Sequence, residues 1–121
     1  MTIRDLLLRA CRERADAVAL RYKHEGTWRT VSYAELLTRT REVAEMLTRL
    51  KARHGDRVAL FLDNCREWPE VYLGIACSGL AAVPIDAKLR PQEVAHVLRD
   101  SGARLVVASA RTYPVLREAE E

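Results

Sequence analysis

Three short apolar runs, each followed by a stretch with helical periodicity, limit the folds open to this chain. The runs are Arg57–Asp63 (R-V-A-L-F-L-D), Ala81–Ile85 and Arg104–Ala108 (R-L-V-V-A). They are too short for core helices, and their centres lack the alternation of a half-solvated strand. Such runs suit strands covered on both faces. Between them Val71, Tyr72, Ile75 and Ala76, then Val94, Val97 and Leu98, recur at helical spacing. Buried strands alternating with amphipathic helices predict a parallel sheet with right-handed crossovers.

The punctuation fits. Asn64 and Glu67 have the spacing of a helix cap, Pro69 falls in a first turn, and Gly79 stands near the end of the same helix. Pro84 is expected at the edge or end of its strand. Pro91 suits the first position of a further helix, with Gln92 and Glu93 in its first turn. Arg90 stands where a capping Ser or Thr would serve better. Ser101-Gly102 ends that helix, and Ser109 is expected to cap a last one running to Glu121.

Upstream, Ile3, Leu6, Leu7 and Ala10 mark an amphipathic helix over 3–14. Ala17–Lys23 alternates, with Val18, Leu20 and Tyr22 on one side. His24-Glu25-Gly26 reads as a turn and Thr27–Val31 as the antiparallel partner. Ser32-Tyr33-Ala34-Glu35 has capping-box spacing. Leu36, Val43, Leu47 and Leu50 then form a helical stripe, Glu45 and Arg49 an i,i+4 ion pair, and Gly55 the left-handed stop.

The expected fold class is therefore α/β: a parallel βαβαβ sheet flanked by helices, preceded by a helix and a β-hairpin. At 121 residues the chain is one domain or part of one. Residues 1–56 supply the helix, hairpin and long helix, and 57–121 the βαβαβα unit.

The charge balance narrows the partners. The net charge is only +3, and most basic residues alternate with acids, as in Arg12-Glu13-Arg14. That is a solvated surface rather than a nucleic-acid stripe. The longest uncharged run, Val71–Ile85, is too short to span a bilayer. Three cysteines, with no C-x-x-C and a charged N-terminus, predict reduced thiols and a cytoplasmic location.

Parallel sheets bind ligands beyond the carboxyl ends of their strands. The turns there read Asp63-Asn64-Cys65-Arg66, Asp86-Ala87-Lys88 and Ser109-Ala110-Arg111. None is glycine-rich, and neither G-x-G-x-x-G nor G-x-x-x-x-G-K-[ST] occurs, so no backbone cradle for phosphate is expected. His24, His54 and His96 have no metal-ligand spacing. Cys77 reads as a small buried hydrophobe. Cys65 stands near a helix N-terminus, which could lower its pKa, but has no evident base beside it. Asp63 and Asp86 read as caps or turn formers, Trp28 and Trp68 as packing anchors. No catalytic, cofactor-binding or metal-ligating residue is assigned.

Four segments in register carry a resemblance: W-R-T-V-S-Y-A-E-L (28–36), G-D-R-V-A-L-F-L-D-N (55–64), E-W-P-E-V-Y-L-G-I-A-C-S-G-L-A-A-V-P-I-D (67–86) and R-P-Q-E-V-A-H-V-L-R-D-S-G-A-R-L-V-V (90–107). In this order the chain resembles the start of the adenylate-forming superfamily, which includes acyl-CoA synthetases, luciferases and peptide-synthetase adenylation domains. It looks most like bacterial medium- and long-chain fatty acyl-CoA ligases.

The resemblance implies a parent enzyme that joins a carboxylate to ATP, with magnesium, giving an acyl-adenylate and pyrophosphate. The acyl group then passes to a thiol, usually coenzyme A. In that superfamily the Ser/Thr/Gly-rich phosphate loop ending in Pro-Lys-Gly, the aromatic-Thr-Glu motif, the ribose-binding Asp and the C-terminal lysine all lie further downstream. None is in this sequence. Tyr33, Glu35, Asp56, Asn64, Pro84 and Asp86 match the family pattern as scaffold, and Arg90 departs from its usual Ser/Thr. The resemblance thus implies an N-terminal segment that is inactive alone, whose partner is the rest of its own enzyme. The final helix carries no stop signal before Glu121, so the reading frame is expected to continue. Apolar surface left uncovered would drive self-association. The alternatives are a stand-alone interaction or dimerisation module built on this fold, and a small flavodoxin-like binder. The missing phosphate loop weighs against the latter.

Overall fold

A computed structural model describes residues 1–120. The elements run α1 (Ile3–Arg14), β1 (Val18–His24), β2 (Thr27–Ser32), α2 (Tyr33–Arg49), β3 (Arg57–Phe61), α3 (Glu67–Cys77), β4 (Ala81–Pro84), α4 (Pro91–Ser101), β5 (Leu105–Ala108) and α5 (Tyr113–Ala119). β1 and β2 form an antiparallel hairpin, and β4-β3-β5 a parallel sheet with β3 in the centre. The expected α/β fold is the one observed.

β3 is the strand that its sequence describes. Val58, Ala59, Leu60 and Phe61 are fully buried. Alternate residues face opposite sides, as strand geometry demands. Val58 and Leu60, with Leu62 just beyond, meet Leu47 of α2 and Val71 and Ile75 of α3. Ala59 and Phe61 meet Val94 of α4 and Leu116 of α5. The flanking strands differ from the expectation. β4 and β5 are edges, and every residue of β5 is only half-buried. Pro84 ends the edge strand β4, where a missing N–H costs no ladder bond.

A third cluster, Leu7, Val31 and Leu36, joins α1, the hairpin and α2. Ile3 and Leu6 of the α1 stripe stay exposed. α1 carries a complete capping box that the sequence reading passed over. The Asp5 amide donates to Thr2 Oγ1 at 3.1 Å, and the Thr2 amide to Asp5 Oδ2 at 3.0 Å. In the hairpin a bulge between Val18 and Leu20 breaks the alternation. It leaves Val18 48% exposed and off the inner face. The turn is two residues, Glu25 and Gly26, both at positive φ, while His24 belongs to β1. That is the pattern of the twisted turns that suit two-residue hairpins.

Several helix boundaries correct the sequence reading. At Ser32 only half the box forms. Its oxygen accepts the Glu35 amide at 3.1 Å, but the glutamate meets the serine hydroxyl at 3.2 Å instead of its amide. Ser32 is already the last residue of β2, paired with Val18. α2 stops six residues before Gly55. Lys51 takes the left-handed conformation, at φ 65°. Its amide donates to Thr48 O at 2.9 Å and that of Ala52 to Leu47 O at 3.1 Å, a Schellman end. Leu50 therefore points to solvent, 55% exposed, outside the stripe. Asn64 does not cap α3. Its N-cap is Arg66, with no side-chain bond. The Glu45–Arg49 pair forms, on an exposed face, at 3.6 Å.

One buried charge went unforeseen. Glu70 lies inside the α2–α3 interface, 7% exposed. Arg39 of α2 meets it at 2.8 Å, and this contact raises the arginine's pKa. The pair satisfies a carboxylate that would otherwise be buried alone. α2 and α3 also touch closely at Gly74, which has no side chain to hold them apart.

Candidate functional site

Two helices lie on each face of the sheet, and the strand order β4-β3-β5 reverses direction at β3. The switch point between β3 and β5 is where a doubly wound sheet opens a crevice for ligands. Here a side-chain clasp spans it, and a cleft of about 490 Å³ lined by Asp63, Val71, Val107 and Ser109 remains on the α3 side. Ser109, after β5, donates its hydroxyl to Asp63 Oδ1, after β3, at 2.7 Å. Buried Thr112 donates to the carbonyl of Phe61. The Thr112 amide returns to Ser109 Oγ at 3.2 Å, and the Ser109 amide to Thr112 Oγ1 at 3.0 Å.

Ser109 does not cap α5 as expected: the N-cap is Thr112, whose side chain makes no capping bond, and the Ser109 oxygen serves the turn that precedes the helix. The Tyr113 amide reaches Ser109 O at 2.9 Å, the first helical bond of the turn that leads into α5. What the sequence reading missed is the bond to Asp63, because the residues are 46 apart in sequence and meet only through strand pairing. Asp63 is an acceptor in this clasp rather than a helix cap.

Beside the clasp, a cleft of about 700 Å³ opens at the ends of β3 and β4. Leu62, Trp68, Pro84 and Ile85 form its apolar floor, and Asp63, Asp86, Lys88 and Arg111 its charged rim. Asp86 uses Oδ1 to accept the Lys88 amide at 2.9 Å, which shapes the turn. No histidine lines the cleft. His24, His54 and His96 are all exposed and lie apart in sequence and fold. Among the described residues no group of three or more His, Cys, Asp or Glu gathers as metal ligands.

The cysteines are not poised as nucleophiles. Burial raises the Cys65 pKa, and the neighbouring Glu67 adds to the rise against weaker backbone hydrogen bonds that lower it. The helix N-terminus beside it does not reverse this. Burial likewise raises Cys77, and Cys11, which donates to Tyr33 O at 3.2 Å. Trp68 stacks on Tyr72 at 5.4 Å and packs against the core, as an anchor should. Trp28 does not. It is 67% exposed on the outer side of β2.

The glycines show where a phosphate cradle would have to come from. Gly55, Gly79 and Gly102, all at positive φ, stand at the turns that enter β3, β4 and β5. That is the amino edge of the sheet, opposite the clefts. Gly26 is in the hairpin and Gly74 inside α3. No glycine stands at a carboxyl end, where backbone amides would approach a phosphate. The other residues matching the family pattern do local work. Asp56 accepts the Arg53 amide at 2.8 Å and meets Arg104 at 3.4 Å. The Tyr33 amide bonds Ala17 O at 3.1 Å. The chemistry available at the cleft is holding a surface or ligand in place, with no nucleophile and base side by side.

Known proteins share this arrangement. A sequence profile of the AMP-binding enzyme family, described as AMP-binding enzyme, matches residues 7–121. A crotonobetaine/carnitine–CoA ligase of Salmonella typhimurium is 44% identical over 94 residues, covering 78% of this chain and 18% of that protein. The chain thus spans about a fifth of the curated relatives it matches. A Mycobacterium tuberculosis fatty acyl CoA synthetase superposes with TM-score 0.87 at 32% identity, over 96% of this chain and 23% of that one. An anthranilate CoA ligase, solved with anthranoyl-AMP, superposes with TM-score 0.89 at 27% identity, over 99% of this chain and 22% of that one. The profile match begins within α1 and takes in every later element, and so the chain belongs to the AMP-binding enzyme family of adenylate-forming ligases.

Proposed function

We propose that this chain is the N-terminal part of an ATP-dependent acid–thiol ligase. The whole enzyme activates a carboxylic acid, of the fatty class, as an acyl-adenylate and transfers it to coenzyme A in the cytoplasm. ATP, magnesium and coenzyme A are used by the whole enzyme, and no residue of this chain is assigned to hold them. The segment acts as scaffold: residues 1–56 buttress the 57–121 unit, whose edges receive the rest of the protein.

The observation that carries this reading is the placement of the glycines on the amino edge of the sheet, in a chain that the family profile matches almost throughout. The phosphate-binding backbone must then come from other parts of the enzyme. The fatty-acid class is supported by the likeness to the mycobacterial synthetase. The half-buried outer strand β5 and the apolar cleft beside it, lined by Leu62, Val71 and Val107, support self-association of the isolated segment.

ATP–pyrophosphate exchange tests the scaffold role. The 121 residues alone are expected to show none with any fatty acid, and measurable exchange overturns it. The full reading frame, supplied with ATP, magnesium and fatty acids of graded length, is expected to form acyl-CoA. Activity confined to aryl acids would reject the fatty class while leaving the ligase reading intact. Sedimentation of the segment as a compact monomer at high concentration would rule out self-association.

A further inference from the structure

The charge excess of the chain is not spread evenly. Residues 1–32 hold seven Arg or Lys against four Asp or Glu, and residues 33–121 hold thirteen of each. Large exposed apolar side chains divide the same way. Met1, Ile3, Leu6, Val18 and Trp28 lie in the first 32 residues, against Met46, Leu50 and Tyr113 in the rest of the described chain. The hairpin has the more ordered share. β1 and β2 contain Arg21, Lys23 and Arg29 and no acid. Their inner face, with Leu20 and Val31, packs on the cluster around Leu7 and Leu36. Alternation then turns Arg21 and Lys23 of β1, and Thr30 and Trp28 opposite them on β2, to the other face. All four are exposed, and the bulge adds Val18 to them. Glu25, in the turn, lies 3.8 Å from His24 Nε2 rather than beside either cation of this face.

With two cations and no acid, this face calls for an anionic partner. A small anion would need converging donors, whereas Arg21 and Lys23 stand two residues apart along one strand, about 7 Å between their Cα atoms. An acidic protein would have to bring a dry pocket for an indole that is 67% exposed. A bilayer surface supplies both needs at once. Its headgroup phosphates form an array that meets spaced cations, and its half-wet interface satisfies both the apolar ring and the polar N–H of an indole. The Lys23 ammonium lies 5.9 Å from the Trp28 ring centroid, so charge and ring reach one depth. No described helix is long and apolar enough to cross a membrane, so the contact is one of lying on the surface. We propose that the outer face of the hairpin docks on an anionic lipid bilayer, with Trp28 at headgroup level and Arg21 and Lys23 among the lipid phosphates. The proposal does not depend on the ligase reading.

The test is flotation of the 121-residue chain with lipid vesicles, which leaves self-associated protein behind. Vesicles rich in phosphatidylglycerol are expected to carry the chain up, and vesicles of pure phosphatidylcholine to leave it. Tryptophan emission of the bound chain should shift to the blue, and the shift should vanish in Trp28→Ala, which retains Trp68. Lys23→Gln should weaken partitioning about fivefold, and Arg21→Gln by a similar factor. Salt at about 1 M should release the bound chain. All three side chains are exposed, so the variants keep the fold, as circular dichroism checks. Leu50→Ala, at the exposed end of α2, is the control and should bind as the parent does. Four results overturn the proposal: the same partitioning, or none, onto the two kinds of vesicle; full binding by Trp28→Ala or Lys23→Gln; an equal loss in Leu50→Ala; or the same blue shift with soluble poly-glutamate, which would assign the face to an acidic protein.

Discussion

Replacing Gly74 by alanine sets helix propensity against packing, and the structure says which wins. A methyl at Gly74 would lie 2.5 Å from Val43 Cγ1, 2.7 Å from Val43 Cβ and 3.3 Å from the carbonyl of Thr40. Carbon atoms rest at about 3.5–4.0 Å, so two contacts overlap by roughly 1 Å. Rotating Val43 relieves only the first, because Cβ stays where the backbone puts it, and helical valines have essentially one rotamer. The helices must part instead. That loosens the Arg39–Glu70 contact and the packing of Leu47 against Val71 and Ile75. Alanine gains about 1 kcal/mol in helix propensity. Overpacking a close helix contact costs about 1–3 kcal/mol, and the lost contacts add to it. The expected net effect is a loss of about 1–2 kcal/mol, a fall in Tm of roughly 4–8 °C for a chain of this size. Urea and thermal unfolding followed by circular dichroism measure it. Val43→Ala removes the Cγ1 overlap, so the double variant should recover part of the loss, with a coupling of about 0.5 kcal/mol or more. A Gly74→Ala protein as stable as its parent would refute the reasoning, since it would mean that α2 and α3 separate without cost.

Three further outcomes follow from the helix ends. Lys51→Gly should stabilise by about 0.5–1 kcal/mol, because it relieves a left-handed non-glycine residue; chemical denaturation reads this directly. At α4, Glu93 already reaches back to the Arg90 amide at 3.1 Å, but arginine has no acceptor to complete the box. Arg90→Ser should therefore add about 0.5–1 kcal/mol to the unfolding free energy, provided the Glu93 bond is kept. The bonds from the Thr2 amide and hydroxyl hold the Asp5 carboxyl below its ordinary pKa of 3.8. A depressed folded-state pKa means stability that is present above the unfolded value and lost as pH falls through the folded one. The first turn of α1 should therefore fray in acid, seen as faster amide exchange at Asp5, and Asp5→Asn should flatten that dependence.

Legibility followed the range of the interactions. Pro91 starting α4 and Gly102 ending it were plain, because caps and prolines act within four residues. The end of α2 was misplaced although the signal used there, glycine, is the right one in general. Lys51 adopts the left-handed turn, and Gly55 is needed for the turn into β3, where its amide bonds Gly79 O at 2.8 Å. Trp28 was misread because residue type gives the value of burying an indole and not whether a second layer covers that side of the hairpin. The Asp63–Ser109 bond had no local signal at all.

The sequence by itself determined the alternation of strands and helices, the burial of Val58–Phe61 and the lack of glycine after each strand of the parallel sheet. Those are properties of neighbours along the chain: periodicity, propensity and the backbone freedom that only glycine supplies. Tertiary structure alone decided that β3 is central while β4 and β5 are edges, because strand order is set by which way each crossover turns. It also decided that Asp63, Ser109 and Thr112 meet across the switch point, and that Glu70 is buried against Arg39. A side chain's partner across 31 or 46 residues depends on where the sheet brings the chain back. Spacing along the chain carries no record of that return.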